Sequence, residues 1–358
     1  MKKASLQDIA RSLNVSKSLV SFVINGHGDD KGIKAETQKR VLDKARELNY
    51  KPNHIARGLR LGKSNTIGLI VADISNKFYA KIARRVEEVA SANGYNVIFC
   101  SSDEDPEKEI KLIDMLRDRQ VDGLLISTTQ KESSFFTSLK KEQFPFVLFD
   151  RQFPRLKTNY VGVNNQEATR EVVSRMIRHG YENIGLLKIT PSHLSSVRER
   201  EAGYREAIKA QGLMFRSELV KEIGFDNIKH DTANALESWL KSDIHLDAIF
   251  SINNNISVAC IEYLKSQNLR IPEDISLVSF DDIDLFRLID PAISALAQPV
   301  EDIGERAVKI LLSQIEKSEE SIVQEVLRVK LITRDSCFRD GNKIDVNDSI
   351  EKQLSVHI

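Results

Sequence analysis

The sequence predicts two unlike folds in tandem. A small all-α head with a short hinge helix comes first, then a large α/β region of two lobes, each built on a parallel sheet. Three observations carry this. The first fifty residues place apolar side chains at helical spacing in three short runs. From Thr66 onward, wholly apolar strand-like runs alternate with amphipathic helical ones, and the alternation restarts partway along. Charge divides at the same place: through Lys63 there are 14 Lys and Arg against 6 Asp and Glu, a net of +8, whereas the remainder holds 38 against 46, a net of −8. The head therefore attracts a polyanion and the rest repels one.

Composition narrows the class. A chain of 358 residues suits a small domain plus a large lobed one. Hydrophobic content of 41% and charge of 29% are those of a globular protein. No apolar run reaches the roughly 18 residues that span a bilayer, and Met-Lys-Lys-Ala-Ser-Leu-Gln-Asp at the start has an acid where a secretory signal would be apolar. A cytoplasmic protein without membrane contact is expected. Cys100, Cys260 and Cys337 lie far apart with no Cys-x-x-Cys spacing, so neither a zinc site nor a disulfide framework is suggested. No metal and no cofactor are expected.

In the head, Ser5-Leu-Gln-Asp8 forms a capping box that satisfies the free N–H groups opening a helix. Leu6, Ile9, Ala10 and Leu13 follow on one face, and Asn14 suits the left-handed turn that ends it. Ser16 caps a second helix that turns Leu19, Val20 and Val23 inward. Two short helices joined so tightly form a helix-turn-helix, whose second helix enters the major groove of DNA. Its outward residues are Lys17, Ser18 and Ser21, with Phe22 beside them. A third helix, about Ala35 to Leu48, brings Val41, Leu42, Ala45 and Leu48 to close the small core, after a polar loop at 27–32. The next segment starts at Pro52, well placed to open a helix, and stops at Gly62. So short a helix needs a surface to form on. Arg57 and Arg60 flank Leu59, the composition of a segment that docks in a minor groove and wedges a leucine between base pairs.

Leu6-Gln-Asp-Ile-Ala, Val15-Ser-Lys-Ser-Leu-Val-Ser, Ile24-Asn-Gly and Tyr50-Lys-Pro-Asn-His-Ile-Ala-Arg together resemble the lactose-repressor (LacI/GalR) family of transcription regulators, and the similarity continues through almost the whole chain. The resemblance implies that Lys17, Ser18 and Phe22 face base edges, that Ser16, Ser21 and Asn25 position the phosphates, and that Leu59 is the intercalating lever. Ser5 and Leu6 at the head of the first helix, with Asn53, His54, Ala56, Arg57 and Arg60 of the hinge, complete the DNA-binding set. The sequence departs from the family at Asn14, where Gly is usual, at Leu19, where Thr is usual, and at Phe22, where Arg is frequent. Phe22 cannot make the bidentate contact to guanine. Gly58-Leu-Arg-Leu-Gly-Lys-Ser64 mimics a phosphate-binding loop, but it is one residue short between its glycines and precedes a strand instead of following one.

In the large region, Thr66-Ile-Gly-Leu-Ile-Val, Asn96-Val-Ile-Phe-Cys, Gly123-Leu-Leu-Ile and Phe146-Val-Leu-Phe are strands separated by helices. After Val161-Gly-Val the pattern restarts with Ile184-Gly-Leu-Leu, Ala248-Ile-Phe-Ser and Ile275-Ser-Leu-Val-Ser-Phe. Apolar strands alternating with helices mean a parallel sheet covered on both faces. Two such lobes leave a cleft at their strands' carboxyl ends, the ligand position of open α/β sheets. Polar groups gather there: Asp73 to Tyr79, Asp150-Arg151, Arg198-Glu-Arg200, Asn253 to Asn255 and Asp281-Asp282. Carboxylates, amides and guanidinium groups near an aromatic ring are what a sugar's hydroxyls and C–H face demand. The family resemblance assigns Arg200 and Asp281 to effector binding and Phe225 to stacking on the ligand. Asp73, Phe78, Tyr79 and Asp150 are further pocket candidates, and Asn254 stands where the family usually has Asp. Ser279 replaces the usual Gly before Phe-Asp-Asp.

By the same resemblance the chain divides into a head at 1–50, a hinge helix at 51–63, a periplasmic-binding-protein-like domain at 64–338 and a polar tail at 339–358. Lobe 1 takes about 64–161 plus 293–322, and lobe 2 about 162–292 plus 323–338. The tail has no leucine heptad, so a homodimer reading a near-palindromic operator is expected. The implied function is a ligand-responsive, sequence-specific repressor of carbohydrate-utilisation genes, released from double-stranded DNA by a sugar or sugar-derived effector. An effector-promoted regulator answering a purine or a phosphorylated partner protein is the alternative. A sugar-binding protein without gene control leaves the basic head unexplained. An enzyme lacks a nucleophile elbow, a metal-spaced set or a dinucleotide fingerprint. If Leu59 is a wedge, Leu59→Ala weakens operator binding far more than binding to random duplex, and equal losses in a competition gel shift argue against it.

Overall fold

Ser5 opens the first helix of the head as the spacing predicts. Its hydroxyl accepts from the Asp8 N–H, and Asp8 Oδ2 accepts in return from the Ser5 N–H at 2.8 Å. The computed structural model describes residues 4–50, 63–317 and 321–337, and it divides after Asn65 into two units. In the first, α1 (Leu6–Leu13) ends at Asn14 with φ of 51°, and α2 (Lys17–Ile24) starts on Ser16, whose Oγ accepts from the Leu19 N–H. Asn tolerates this left-handed backbone better than most residues, which explains why it can stand where glycine is usual. Ile9, Ala10, Val20 and Val23 bury against Val41 and Ala45 of α3 (Ala35–Glu47), with Leu6, Leu13, Leu19 and Leu48 packed around them. Leu42, expected inside, is 39% exposed. It falls one position off the buried stripe of Val41 and Ala45. The expected hinge residues Asn53, His54, Ala56, Arg57, Leu59 and Arg60 lie outside the described residues, as does the tail.

The second unit contains both expected sheets. Lobe 1 runs β1 (Thr66–Val71), α4 (Lys77–Ala92), β2 (Asn96–Ser101), α5 (Pro106–Asp118), β3 (Gly123–Ile126), α6 (Ser134–Lys141), β4 (Phe146–Phe149) and β5 (Tyr160–Val163). Lobe 2 follows with α7 (Asn165–Arg178), β6 (Ile184–Ile189), α8 (Ser195–Ala210), β7 (Val220–Ile223), α9 (Ile228–Leu240), β8 (Ala248–Ser251), α10 (Asn254–Ser266), β9 (Ser276–Phe280), α11 (Asp284–Leu288) and β10 (Ser294–Ala297). The chain then adds α12 (Val300–Glu316) and β11 (Gln324–Leu327) to lobe 1, and β12 (Lys330–Ile332) to lobe 2. The sheets have matching orders, β11-β5-β4-β3-β1-β2 and β12-β10-β9-β8-β6-β7. All neighbours are parallel except β10 with β12.

Strand membership shifts the expected crossings. Residues 162–163 and 324–327, expected in lobe 2, belong to sheet 1 through β5 and its parallel partner β11. Ser294–Ala297, expected in lobe 1, pairs with β9 in sheet 2. Local apolar pattern announces a strand but does not say which sheet edge receives it.

Helices α7 and α8 pack closely because α8 carries Gly203, where a Cβ would stand 2.3 Å from the Gln166 carbonyl oxygen and 2.9 Å from Thr169 Cβ. A backbone oxygen cannot yield as a flexible side chain can. Gly203→Ala should therefore destabilise the protein by about 1–3 kcal/mol despite alanine's better helix propensity. A lowered urea midpoint is the expected reading; an unchanged or raised midpoint means that the helices part freely.

Candidate effector site and DNA-binding face

Two aspartates define the cleft. Asp150 follows β4 and Asp281 follows β9, equivalent positions in the two sheets. Both adopt left-handed backbone, φ 62° and 71°. Each N–H donates to the next strand over, Asp150 to Val161 O at 3.0 Å and Asp281 to Leu296 O at 2.9 Å. The chain thus turns sharply where each parallel strand ends, and each carboxylate stands at the mouth of its sheet. Both are buried.

Each lobe surrounds its aspartate with partners. In lobe 1 the Tyr79 hydroxyl donates to Asp150 Oδ2 at 2.8 Å and lies 3.0 Å from Ser127 Oγ. Burial raises the Tyr79 phenol well above its ordinary range, so it stays a donor. Arg151 pairs with Glu104 through two hydrogen bonds, 2.8 and 2.6 Å, and its Nε is 3.5 Å from Asp150 Oδ2. Burial works against the Arg151 charge, but Glu104 and its other acidic neighbours outweigh it and hold the guanidinium charged. In lobe 2, Arg200 Nε donates to Asn165 Oδ1 at 2.8 Å and Nη1 to Ile252 O at 2.7 Å. The guanidinium lies 3.6 Å from the centre of the Phe280 ring. Among the described residues Nη2 has no hydrogen-bond partner.

Tyr79, Glu104, Asp150, Arg151, Arg200 and Asp281, with Asp73, Phe78 and Phe225, line one cavity between the lobes, with about 540 Å³ unfilled by protein atoms including space open to solvent. Asp73 also accepts from the Ser75 N–H and hydroxyl, which orders the loop before α4. Gln298 closes the cavity from the crossing after β10. Its Nε2 donates to Asp281 Oδ1 at 2.6 Å, while its Oε1 is buried without a partner among the described residues. A buried acceptor left so costs free energy until a donor reaches it. Among the described residues no cluster of three His, Cys, Asp or Glu is placed to hold a metal ion.

One expected pocket residue does not line the cavity. Asn254 is buried and donates through Nδ2 to Asn76 Oδ1 at 2.9 Å, joining the lobes, while its neighbours Asn253 and Asn255 face the space. Asn253 caps α10 through the Ile256 N–H, and Asn76 caps α4 through the Phe78 N–H. The first residue of α10 is thereby turned toward the opposite helix cap. Asp73, Phe78, Tyr79, Asp150, Arg200, Phe225 and Asp281 do come together. Sequence reasoning did not single out Glu104, Ser196 or Gln298. Arg151, Asn253 and Asn255 did carry a signal, their place at strand ends.

On the head, Lys17 and Ser18 are exposed and Phe22 is 37% exposed on the outward side of α2. Ser16, Ser21 and Asn25, expected to position phosphates, also serve the helix itself: Ser16 caps it, and Asn25 Nδ2 donates to Ser21 O at 2.6 Å. Ser5 is exposed within its capping box, and Leu6 packs on the core.

Burial pushes the Asp281 carboxyl up to about 6, with Arg200 and the Gln298 hydrogen bond opposing part of the shift. The folded state therefore holds this proton more tightly than the unfolded chain does. Stability from this group is complete below roughly pH 4 and is lost as pH rises through about 6. Asp281→Asn keeps the turn, since Asn accepts left-handed backbone, and removes the charge. The variant should exceed the parent in stability by on the order of 2 kcal/mol at pH 7.5, and the gap should close toward pH 4. Urea unfolding at several pH values reads this out, and a gap independent of pH contradicts it.

The comparisons agree with this geometry. Residues 64–335 match the family described as periplasmic binding proteins and sugar binding domain of LacI family, and residues 5–53 match bacterial regulatory proteins, lacI family. The HTH-type transcriptional regulator KdgR of Bacillus subtilis (strain 168) is 34% identical over 337 residues, covering 93% of this chain and 97% of that one. A structure of the transcriptional regulator CelR–cellobiose complex superposes with a TM-score of 0.69 at 25% identity, over 93% of this chain and 99% of that chain. The lac repressor dimer bound to operator and the anti-inducer ONPF shares the fold at a TM-score of 0.81 and 22% identity, over 94% of this chain and all of that one (100%). The chain belongs to the LacI family of bacterial regulatory proteins: it is a transcriptional regulator that joins a helix-turn-helix DNA-binding head to an effector-binding domain.

Proposed function

We propose that this chain represses carbohydrate-utilisation genes, acting in the cytoplasm as a homodimer on a near-palindromic operator, and that a neutral sugar releases it. The observation that carries the effector class is the polarity of the cleft. Asp73, Glu104, Asp150 and Asp281 face only Arg151 and Arg200, and Arg151 is already spent on Glu104. The orphan Gln298 Oε1 adds another acceptor. Such a site asks its ligand for donors, which ring hydroxyls supply and carboxylate or phosphate groups do not. A further negative charge placed here meets four carboxylates and, as counter-charge, only the one unpaired donor of Arg200, so it costs free energy. Phe225 and the apolar side chains of Ile189, Val197 and Ile252 supply a surface for a sugar's C–H face.

The relative with bound cellobiose supports a saccharide, and the operator-bound lac repressor dimer supports the symmetric assembly. In this reading the cleft binds and transforms nothing: Arg151, Arg200 and their carboxylate partners hold one another for recognition. No helix among the described residues is long and apolar enough to cross a membrane. Regulation follows if sugar and operator prefer different angles between the lobes, because a ligand shifts an equilibrium only by its differential affinity for the two states.

A gel shift with a duplex bound by the full chain, titrated with neutral sugars and with their acids and phosphates, tests this. Release by a neutral sugar is expected; release by acids or phosphates alone, or tightening by every active ligand, overturns it. Arg200→Ala should bind the duplex like the parent yet weaken the effector by about 10- to 100-fold. A fully responsive variant removes Arg200 from recognition.

A further inference from the structure

Phe22 is a large aromatic side chain left in water. It is 37% exposed and stands outside the head's apolar cluster, so folding of the head does not account for it. Lys31 from the following loop places its ammonium 5.5 Å from the ring centre, which braces one face with a cation. Lys17 and Ser18, both exposed, share the outward side of α2 with it, Ser18 one helical turn before Phe22. The second helix of a helix-turn-helix lies in the major groove, so this ring arrives among base edges.

A phenyl ring offers no hydrogen-bond donor and no conventional acceptor. Against guanine O6 and N7, cytosine N4 or adenine N6 it displaces water and returns nothing. The major groove holds one apolar feature, the C5-methyl of thymine. We propose that Phe22 reads a thymine methyl in each operator half-site, with Lys31 fixing the ring's orientation. This rests on the head's DNA binding and is independent of which effector fills the cleft.

The test enriches duplexes from a random pool with the full chain, then replaces each thymine of the enriched half-site by uracil, which removes only the methyl. One thymine should show an affinity loss of about fourfold per half-site on replacement. Phe22→Ala should abolish that loss at that base and leave the other positions unchanged; its exposure makes the variant safe for folding. The proposal is overturned if no thymine responds to loss of its methyl, or if the response persists in Phe22→Ala. Failure to enrich any sequence overturns it too, and that result alone would also remove the repressor reading.

Discussion

The burial of opposed charges at the carboxyl ends of β4 and β9 is the constraint around which the rest of the larger unit is arranged. Asp150 and Asp281 sit at equivalent ends of the two sheets, each forced into left-handed backbone by the turn that leaves the strand. Taking carboxylates out of water is costly unless cations and donors come with them. Arg151 and Tyr79 answer for one, Arg200 and Gln298 for the other. The two cations are themselves pinned: Arg151 by Glu104, Arg200 by Asn165, Ile252 O and the face of Phe280. The site is preorganised at the expense of stability, which is the ordinary bargain of a binding pocket.

The same arrangement explains how binding reaches beyond the pocket. Besides the chain crossings after β5, β10 and β11, the contacts joining the lobes include an exposed ion pair of Lys81 with Asp284 and a few single hydrogen bonds. Asn254 meets Asn76, the Gln152 N–H meets Ser195 Oγ at 2.9 Å, and His193 Nε2 lies 3.0 Å from Thr129 O. Each is worth little alone. A ligand that adds several bonds between Asp150 on one side and Arg200 and Asp281 on the other competes with the sum of them. A switch requires that its energy be comparable to the difference between two lobe angles.

Much of this was legible in the sequence because the relevant signals are local. Capping boxes, Asn14 at a left-handed turn and apolar runs that stop at polar residues all place elements and mark strand ends, so Asp150 and Asp281 could be named beforehand, whereas Arg200, inside α8, was singled out by the family resemblance. What stayed hidden depends on distant pairings. Glu104 reaches Arg151 across 47 positions. Gln298 enters the site only because β10 joins sheet 2 and leaves it at the mouth of the cleft. The edge strand β11 alternates exposed and half-buried residues, so its sequence does not distinguish between the two sheets. Asn254 had the right residue type and address but the opposite orientation, set by a partner 178 positions away.

If the cleft and the DNA-binding head are thermodynamically coupled, each ligand must alter affinity for the other by the same factor. The direct measurement is calorimetric titration of the active sugar into the full chain, once alone and once saturated with its duplex. The account predicts weaker sugar binding in the presence of DNA, by the same factor with which sugar weakens DNA binding. Identical sugar affinity in the two titrations would contradict it.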